Sequence, residues 1–261
     1  MKSKPPVALV TVASSGIGEP TAVALAAAVY TVYGTSRRGV QSAQRAFKLL
    51  ALDVTSDESV DAAVNELLQL EGRIDLPVNN AGFGVSPSAA EESSIEQAKA
   101  ILDTNCLGVV RMTRTVLPHM RQQGGGRIIN IGSIIGLVPT PYAALHAASK
   151  HAVEGYSEAV DHELRSYCIH VTVIEPAYTK AQFEANNLAP MHRWKSTRRC
   201  ERALATWSRR ALPTQTSRRW SRMWWQRLRV PHARRYAPPR ARSPGSCSYC
   251  GGSYRPACSS R

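Results

Sequence analysis

Tryptophan is missing altogether from residues 1–190, and cysteine is scarce there, with only Cys106 and Cys168. Those two read as reduced thiols. Acidic residues are nearly absent from the other end: residues 191–261 hold Glu201 alone against 18 Lys+Arg, 17 of them Arg. The net charge of +14 therefore belongs to the tail, because residues 1–190 carry 15 basic and 18 acidic side chains. No apolar run approaches the roughly 20 residues of a membrane span. The run from Val7 to Val12 is too short for a signal peptide and lacks a small-residue cleavage site, so a cytoplasmic location is expected. No internal repeat is visible. All five Trp and four of the six Cys lie beyond Pro190, so two different compositions meet near that residue.

What is present in the first part is an alternation of apolar runs with Ala-rich amphipathic stretches, the pattern of βα units on a parallel sheet. Strands are predicted at Val7–Val12, Thr31–Thr35, Lys48–Leu52, Leu76–Asn79, Arg127–Ile131 and His170–Ile174. Helices are predicted at Ile17–Ala28, Asp57–Leu70, Ile95–Arg121 (with a break before it) and Ala143–Ser166. The strand runs are continuously apolar, as expected when both faces are covered. The fold class is α/β: a doubly wound, Rossmann-like parallel sheet in a single domain, with an unstructured C-terminal tail. Residues 1–190 form the domain and residues 191–261 the tail.

The first strand ends in Thr11-Val12-Ala13-Ser14-Ser15-Gly16-Ile17-Gly18 and runs straight into a helix. A Gly-rich turn there lets backbone N–H groups and the helix N-terminus approach a pyrophosphate, although Gly16 and Gly18 also suit an ordinary turn. The second strand ends in Gly34-Thr35-Ser36-Arg37-Arg38. An NAD site usually places an acid near this point for the ribose 2′-hydroxyl. A hydroxyl and two guanidiniums suit a 2′-phosphate instead, the competing reading being a solvated basic loop. Asp53-Val54 and Asn79-Asn80-Ala81-Gly82-Phe83-Gly84 follow the third and fourth strands, at the carboxyl ends where ligands bind in open α/β sheets.

Taken in order, the Thr11…Gly16-x-Gly18 turn, Asn79-Asn80-Ala81-Gly82, Asn105, Ser133, Lys150 and Pro176-Ala177-Tyr178-Thr179 resemble a classical short-chain dehydrogenase/reductase over residues 1–188. The resemblance implies an NADP(H)-dependent oxidoreductase that moves hydride between nicotinamide and an alcohol or carbonyl substrate. The cofactor would lie against Thr11, Ser14, Ser15, Gly16, Ile17, Gly18, Arg37, Asp53, Val54, Asn80, Ala81, Gly82, Lys150, Pro176 and Thr179. Ser133 would hydrogen-bond the substrate oxygen, Lys150 would bind the nicotinamide ribose and lower the pKa of a catalytic tyrosine, and Asn105 would hold a relay water. The resemblance also implies a homodimer or homotetramer.

The pattern departs from the family at its centre. Where the family motif is Tyr-x-x-x-Lys, this chain reads His146-Ala147-Ala148-Ser149-Lys150. Tyr142 lies four residues too early, about one helical turn or roughly 5.4 Å away. Imidazole is a good acid/base near neutrality, but it is shorter than phenol, and an adjacent ammonium favours its neutral form. Val12 replaces the first glycine of the phosphate turn, where a β-branched residue is poorly tolerated. Pro77 falls inside the fourth strand, and Val29 and Cys168 stand where glycine helix caps are favoured. Each departure is one base change from the family residue, and together they predict an impaired enzyme with a degenerate active site.

The tail shows no convincing apolar periodicity. A shifted reading frame accounts for it: one permitted coding of Met191 to Cys200, read from its third base, gives the acidic stretch Ala-Pro-Met-Glu-Val-Tyr-Glu-Ala-Val. On this reading the substrate-covering segment of the family is missing. The alternative is a non-catalytic nucleotide-binding protein with a basic nucleic-acid-binding tail, in which Arg contacts phosphates and Trp stacks on bases. Real basic tails usually include Lys and few Cys, which disfavours nucleic acid as a partner. Cys247-x-x-Cys250 with Cys258 and either Cys200 or His232 matches no recognised zinc spacing, so no metal is expected.

Overall fold

The computed structural model describes residues 4–39, 45–85, 88–177, 179–180, 187–191 and 215–216, the pairs 179–180 and 215–216 as backbone. Six strands form one parallel sheet: β1 (Val7–Val10), β2 (Thr31–Ser36), β3 (Lys48–Ala51), β4 (Leu76–Asn79), β5 (Gly126–Ile131) and β6 (Ile169–Ile174). Their order is β3-β2-β1-β4-β5-β6, so the chain reverses direction of winding between β1 and β4. This is the expected doubly wound sheet, with its ligand-binding crevice at the point of reversal.

The continuously apolar strands feed two cores. Val7 and Leu9 of β1, with Tyr33, Leu50 and Ile128, face Val60, Leu67, Met112, Val116 and Leu164 from the helices α2 (Asp57–Glu71), α4 (Gly108–Gln122) and α5 (Ala144–Leu164). Ala8 and Val10, with Val32, Val78, Ile129 and Ile131, face Ala22 and Leu25 of α1 (Gly18–Ala27). Alternate residues along each strand thus serve opposite faces.

The predicted helix Ile95–Arg121 is interrupted rather than continuous. Helix α3 (Ile95–Leu102) passes through a π-helical turn at Asp103–Leu107 into α4. Such bulges inside helices concentrate at functional sites, and Asn105 lies within this one. The helix predicted at Ala143–Ser166 starts one residue later and ends in a 3₁₀ turn, Arg165–Tyr167.

Val12, Val29 and Cys168, at positions where glycine is expected, adopt glycine-like backbone. Val12 (φ 52°), Val29 (φ 75°) and Cys168 (φ 58°) are all left-handed, as is Tyr142 (φ 62°). A left-handed L-residue costs roughly 1–2 kcal/mol, and more for a β-branched one. Cys168, expected as a reduced thiol, is disulfide-bonded. Pro77 sits opposite Leu9 in β4, between β1 and β5. The Asp75 backbone N–H donates to Val7 O at 2.9 Å, and the next donor facing β1, two residues on, is lost because proline has no N–H.

Late in the domain, Thr179–Lys180 (β7) pairs in parallel with Gln215–Thr216 (β8) of the tail, so this piece of the tail is a strand where an unstructured segment was expected. The tryptophans and remaining cysteines of the tail, and Tyr178, lie outside the described residues. Among the described residues no helix is long and apolar enough to cross a membrane, and no group of His, Cys, Asp or Glu could hold a metal ion.

Val29 is 71% exposed, so replacing it removes strain without removing packing. Val29→Gly should raise the unfolding free energy by about 1 kcal/mol, the left-handed penalty less the entropy of glycine. Pro77→Leu should add about 1 kcal/mol by restoring a buried ladder bond. Urea unfolding of the full chain checks both; an unchanged or lower midpoint in either variant would contradict the strain assigned to that position.

Candidate active site

Thr11 closes β1 at the point of reversal and is 1% exposed. Its Oγ1 accepts from Asn80 N at 2.8 Å and from Ala81 N at 2.9 Å, which locks the end of β4 onto the end of β1. The Asn80 side chain returns the contact, donating from Nδ2 to Thr11 O (2.9 Å) and Val12 O (3.2 Å). Residues Val12 to Ile17 then loop into α1, with Ser14, Ser15, Gly16 and Ile17 half-buried. A Cβ on Gly18 would collide with Val12 O and the Asn80 amide, so only glycine fits that close approach. No side chain caps the N-terminus of α1. An uncapped helix N-terminus entered through a tight glycine turn fits a pyrophosphate, by aligned N–H groups and the helix dipole. Val12 does not block the turn outright, because its side chain packs against the larger core.

Arg37 and Arg38 are exposed at the end of β2. Asp53 lies close enough to feel Arg37: hydrogen bonds from Thr55 N (3.0 Å) and Thr55 Oγ1 (2.7 Å) hold its carboxyl below the usual range, with Arg37 and Arg111 assisting. Asp53 thus shapes the β3–α2 loop, with Val54 buried beside it. Ser36 Oγ accepts from Gly39 N at 3.0 Å, which curls the Arg37–Arg38 loop back on β2.

The remaining predicted residues converge between β4, β5, the π turn and α5. Asn105, 1% exposed, clamps the loop after β4: Oδ1 accepts from Phe83 N (3.0 Å), and Nδ2 donates to Phe83 O (2.9 Å) and Ser149 Oγ (2.9 Å). Gly82 lies between the groups, since a Cβ there would stand 3.1 Å from Asn105 Oδ1 and 3.8 Å from Lys150 Nζ. Lys150 is 6% exposed and donates to Ile131 O at 2.6 Å. Burial lowers its pKa to about 8, with Glu154 opposing the shift. Ser133 heads the 3₁₀ turn Ile134–Gly136 and accepts from Ile135 N at 3.4 Å. Ile134 N in turn donates to Pro176 O at 3.1 Å, fastening this turn to the end of β6.

His146 lies one turn before Lys150 on α5 and is 7% exposed. Burial first, and the Lys150 ammonium second, push its pKa down to about 4, against a contact with the Phe83 backbone. The imidazole is therefore neutral at physiological pH. The expected effect of the ammonium is present but secondary to burial. Tyr142 lies outside α5, and its carbonyl accepts from Ser88 N at 3.0 Å. Thr179 lies in β7.

Glu154 was not singled out by its sequence position. It stands one turn beyond Lys150, with Oε1 buried and unpaired. The spacing of four residues from Lys150 on a helix was the available signal.

Comparison with known proteins agrees with this geometry. The short chain dehydrogenase family model matches residues 6–191. A 3-ketodihydrosphingosine reductase of Bacteroides thetaiotaomicron is 40% identical over 183 residues, covering 70% of this chain and 67% of that protein. Among solved structures, a short-chain dehydrogenase from Streptomyces avermitilis matches with TM-score 0.76 and 27% identity, covering 88% of this chain and 86% of its own. A 3-ketoacyl-(acyl-carrier-protein) reductase from Brucella melitensis, complexed with NADH, matches with TM-score 0.72 and 26% identity over 87% and 92% of the two chains. A serine dehydrogenase complexed with NADP+ matches with TM-score 0.70 and 25% identity over 86% and 90%. With its sheet reversing at Thr11 and its Asn105–Ser133–Lys150 cluster beside that reversal, the chain belongs to the short-chain dehydrogenase/reductase family of oxidoreductases.

Proposed function

We propose that this chain binds NADP(H) and descends from a carbonyl reductase whose proton-transfer step is impaired here. The observation that carries the reading is the convergence of buried Lys150 and Asn105 on Gly82, beside a helix N-terminus left without a side-chain cap. The nicotinamide cofactor supplies hydride chemistry when bound. The protein's own part is to hold it. Gly16, Ile17 and Gly18 present N–H groups to the pyrophosphate; Arg37 and Ser36 suit a 2′-phosphate; Asn80, Ala81 and Gly82 line the crevice; Lys150 serves the ribose, and Pro176 and Thr179 the carboxamide side.

Substrate oxygen would meet Ser133 Oγ. Its proton must come from a group that can both donate and recover, with a pKa suited to the working pH. A histidine held near 4 is a weak base, and its conjugate acid is scarcely populated at neutrality. That is the physical basis of the impairment. Ile134, Leu137 and Val138, all exposed directly after Ser133, favour an apolar substrate. The named substrate of the Bacteroides relative, 3-ketodihydrosphingosine, therefore heads a test panel. We also assign residues 1–190 as the cofactor-binding domain and residues 191–261 as a tail that supplies no cofactor-binding residue, its described contact being the strand pairing of Gln215–Thr216 with Thr179–Lys180.

Titration of nicotinamide fluorescence should show NADPH binding at least about tenfold tighter than NADH, with Arg37→Glu abolishing the difference, since one charge-assisted contact is worth roughly 1.5–3 kcal/mol. Equal affinity for both cofactors would remove the 2′-phosphate assignment. Carbonyl reduction should be slow in the unmodified chain, and His146→Tyr alone should leave it within about tenfold, because the strain at Val12 and Pro77 remains. Family-like turnover from the unmodified chain would refute the impairment.

His146 also makes a pH prediction. Its pKa is depressed in the fold, to about 4 from 6.5. Stability from the neutral ring is therefore complete above pH 6.5 and lost as pH falls through 6.5 toward 4, by roughly 3 kcal/mol in total. His146→Phe should flatten that acid-side loss in urea titrations at pH 4–7, and an unchanged slope would place the acid lability elsewhere.

A further inference from the structure

The turn that carries Ser133 is seated on α5 by two side chains one helical turn apart. Lys150 Nζ holds Ile131 O, the last carbonyl before the turn. Four residues on, the Glu154 carboxyl fills the notch left by the two glycines that flank the serine. A Cβ on Gly132 would collide with Glu154 Oε1, and one on Gly136 would stand 3.2 Å from it and 3.2 Å from Lys150 Cβ. Val173 and the Ile174 carbonyl close the notch from β6. Within it Glu154 Oε1 is buried and has no hydrogen-bond partner.

We infer that Glu154 is a positioning residue for Ser133: as the neutral acid it packs the Gly132–Gly136 notch and fixes the turn, and on ionisation it lets the turn loosen. An ionised oxygen buried without a donor is costly, whereas a neutral carboxyl fits an uncharged glycine-lined notch. The charged groups facing it are Glu175 beyond β6, and Lys150, His151 and Glu158 on its own helix. The Ser133 turn itself, residues 132–139, brings no titratable side chain. Burial, followed by Glu175, pushes the Glu154 pKa up to about 7, with Glu158 adding to it and Lys150 and His151 opposing. A raised acid contributes stability that is complete below its unfolded value near 4.5 and is lost as pH rises through 7. The turn is thus firmest on the acid side of neutrality.

The inference rests on Ser133 as the substrate-facing hydroxyl, but its test needs neither cofactor nor turnover. Amide hydrogen exchange of the full chain, without nucleotide and corrected for the intrinsic pH dependence, reports the turn through the amides of Ile134, Gly136, Leu137 and Val138, all hydrogen-bonded here. Protection of residues 132–138 should fall about tenfold between pH 6 and 8 in the unmodified chain, with a midpoint near 7. Glu154→Gln, a neutral isostere, should keep the acid-side protection across that range. Glu175→Gln, which leaves the notch intact, should move the midpoint to lower pH. Flat protection in the unmodified chain, an unshifted midpoint in Glu175→Gln, or a Glu154→Gln profile matching the parent would each overturn it. Failure of NADPH to bind, with the exchange profile as expected, would instead strike the proposed function.

Discussion

One buried hydroxyl, that of Thr11, joins the two halves of the sheet where the winding reverses. Its Oγ1 takes both N–H groups of Asn80 and Ala81, which could not otherwise pair because the strand ends there. Parallel strands of this kind diverge at their carboxyl ends and open a crevice. The Thr11 bonds fix how far they diverge, and the Asn80 amide then fixes the Val12 carbonyl against which Gly18 packs. The phosphate turn, the start of α1 and the loop holding Gly82 therefore share one hydrogen-bonded anchor. Losing a partner there would leave buried donors unpaired, at roughly 1–3 kcal/mol each.

The second constraint is electrostatic. Lys150 is a buried cation whose desolvation is offset by a carbonyl, Ile131 O, and, once Glu154 ionises, by that carboxylate. A tyrosine at position 146 would gain from that cation, because a nearby ammonium favours phenolate. Histidine responds in the opposite sense, since the same ammonium disfavours imidazolium. At position 146 the Lys150 charge therefore adds to burial in keeping the imidazole neutral, where it would draw a phenol toward phenolate.

Most of the fold was legible in the sequence. The edges of all six strands fall within two residues of expectation, because continuous apolar runs bounded by Gly and polar residues leave few alternatives. Three residues suspected from sequence, Val12, Val29 and Cys168, prove left-handed, since the need for glycine there follows from local backbone geometry alone. The π turn at Asn105 was not legible, as its cause is tertiary: Asn105 turns inward to clamp Phe83 and Ser149, and the helix widens to let it. Glu154 escaped for a similar reason. A glutamate on a helix is ordinarily solvated, and only the glycines of a distant strand end create the notch that buries its oxygen. The disulfide at Cys168 likewise could not be read from spacing.

Strain placed by function is usually local, clustering where it prepares a site. Here it falls partly at the site, at Val12 and Tyr142, and partly away from it. Val12 lies in the phosphate turn, but Val29 lies between α1 and β2, 71% exposed, and Cys168 lies between α5 and β6. Pro77 interrupts a central strand. The four positions lie in different parts of the sheet and its connections, so each weakens the scaffold by an independent increment. Domains are stable by only about 5–15 kcal/mol, so increments of 1–2 kcal/mol at four sites consume a large share of that margin. An enzyme adapting His146 to a new reaction would need a firmer scaffold to hold the altered geometry. The reading proposed for His146 thus draws on the site alone, and the strain at these four positions bears on the stability of the scaffold.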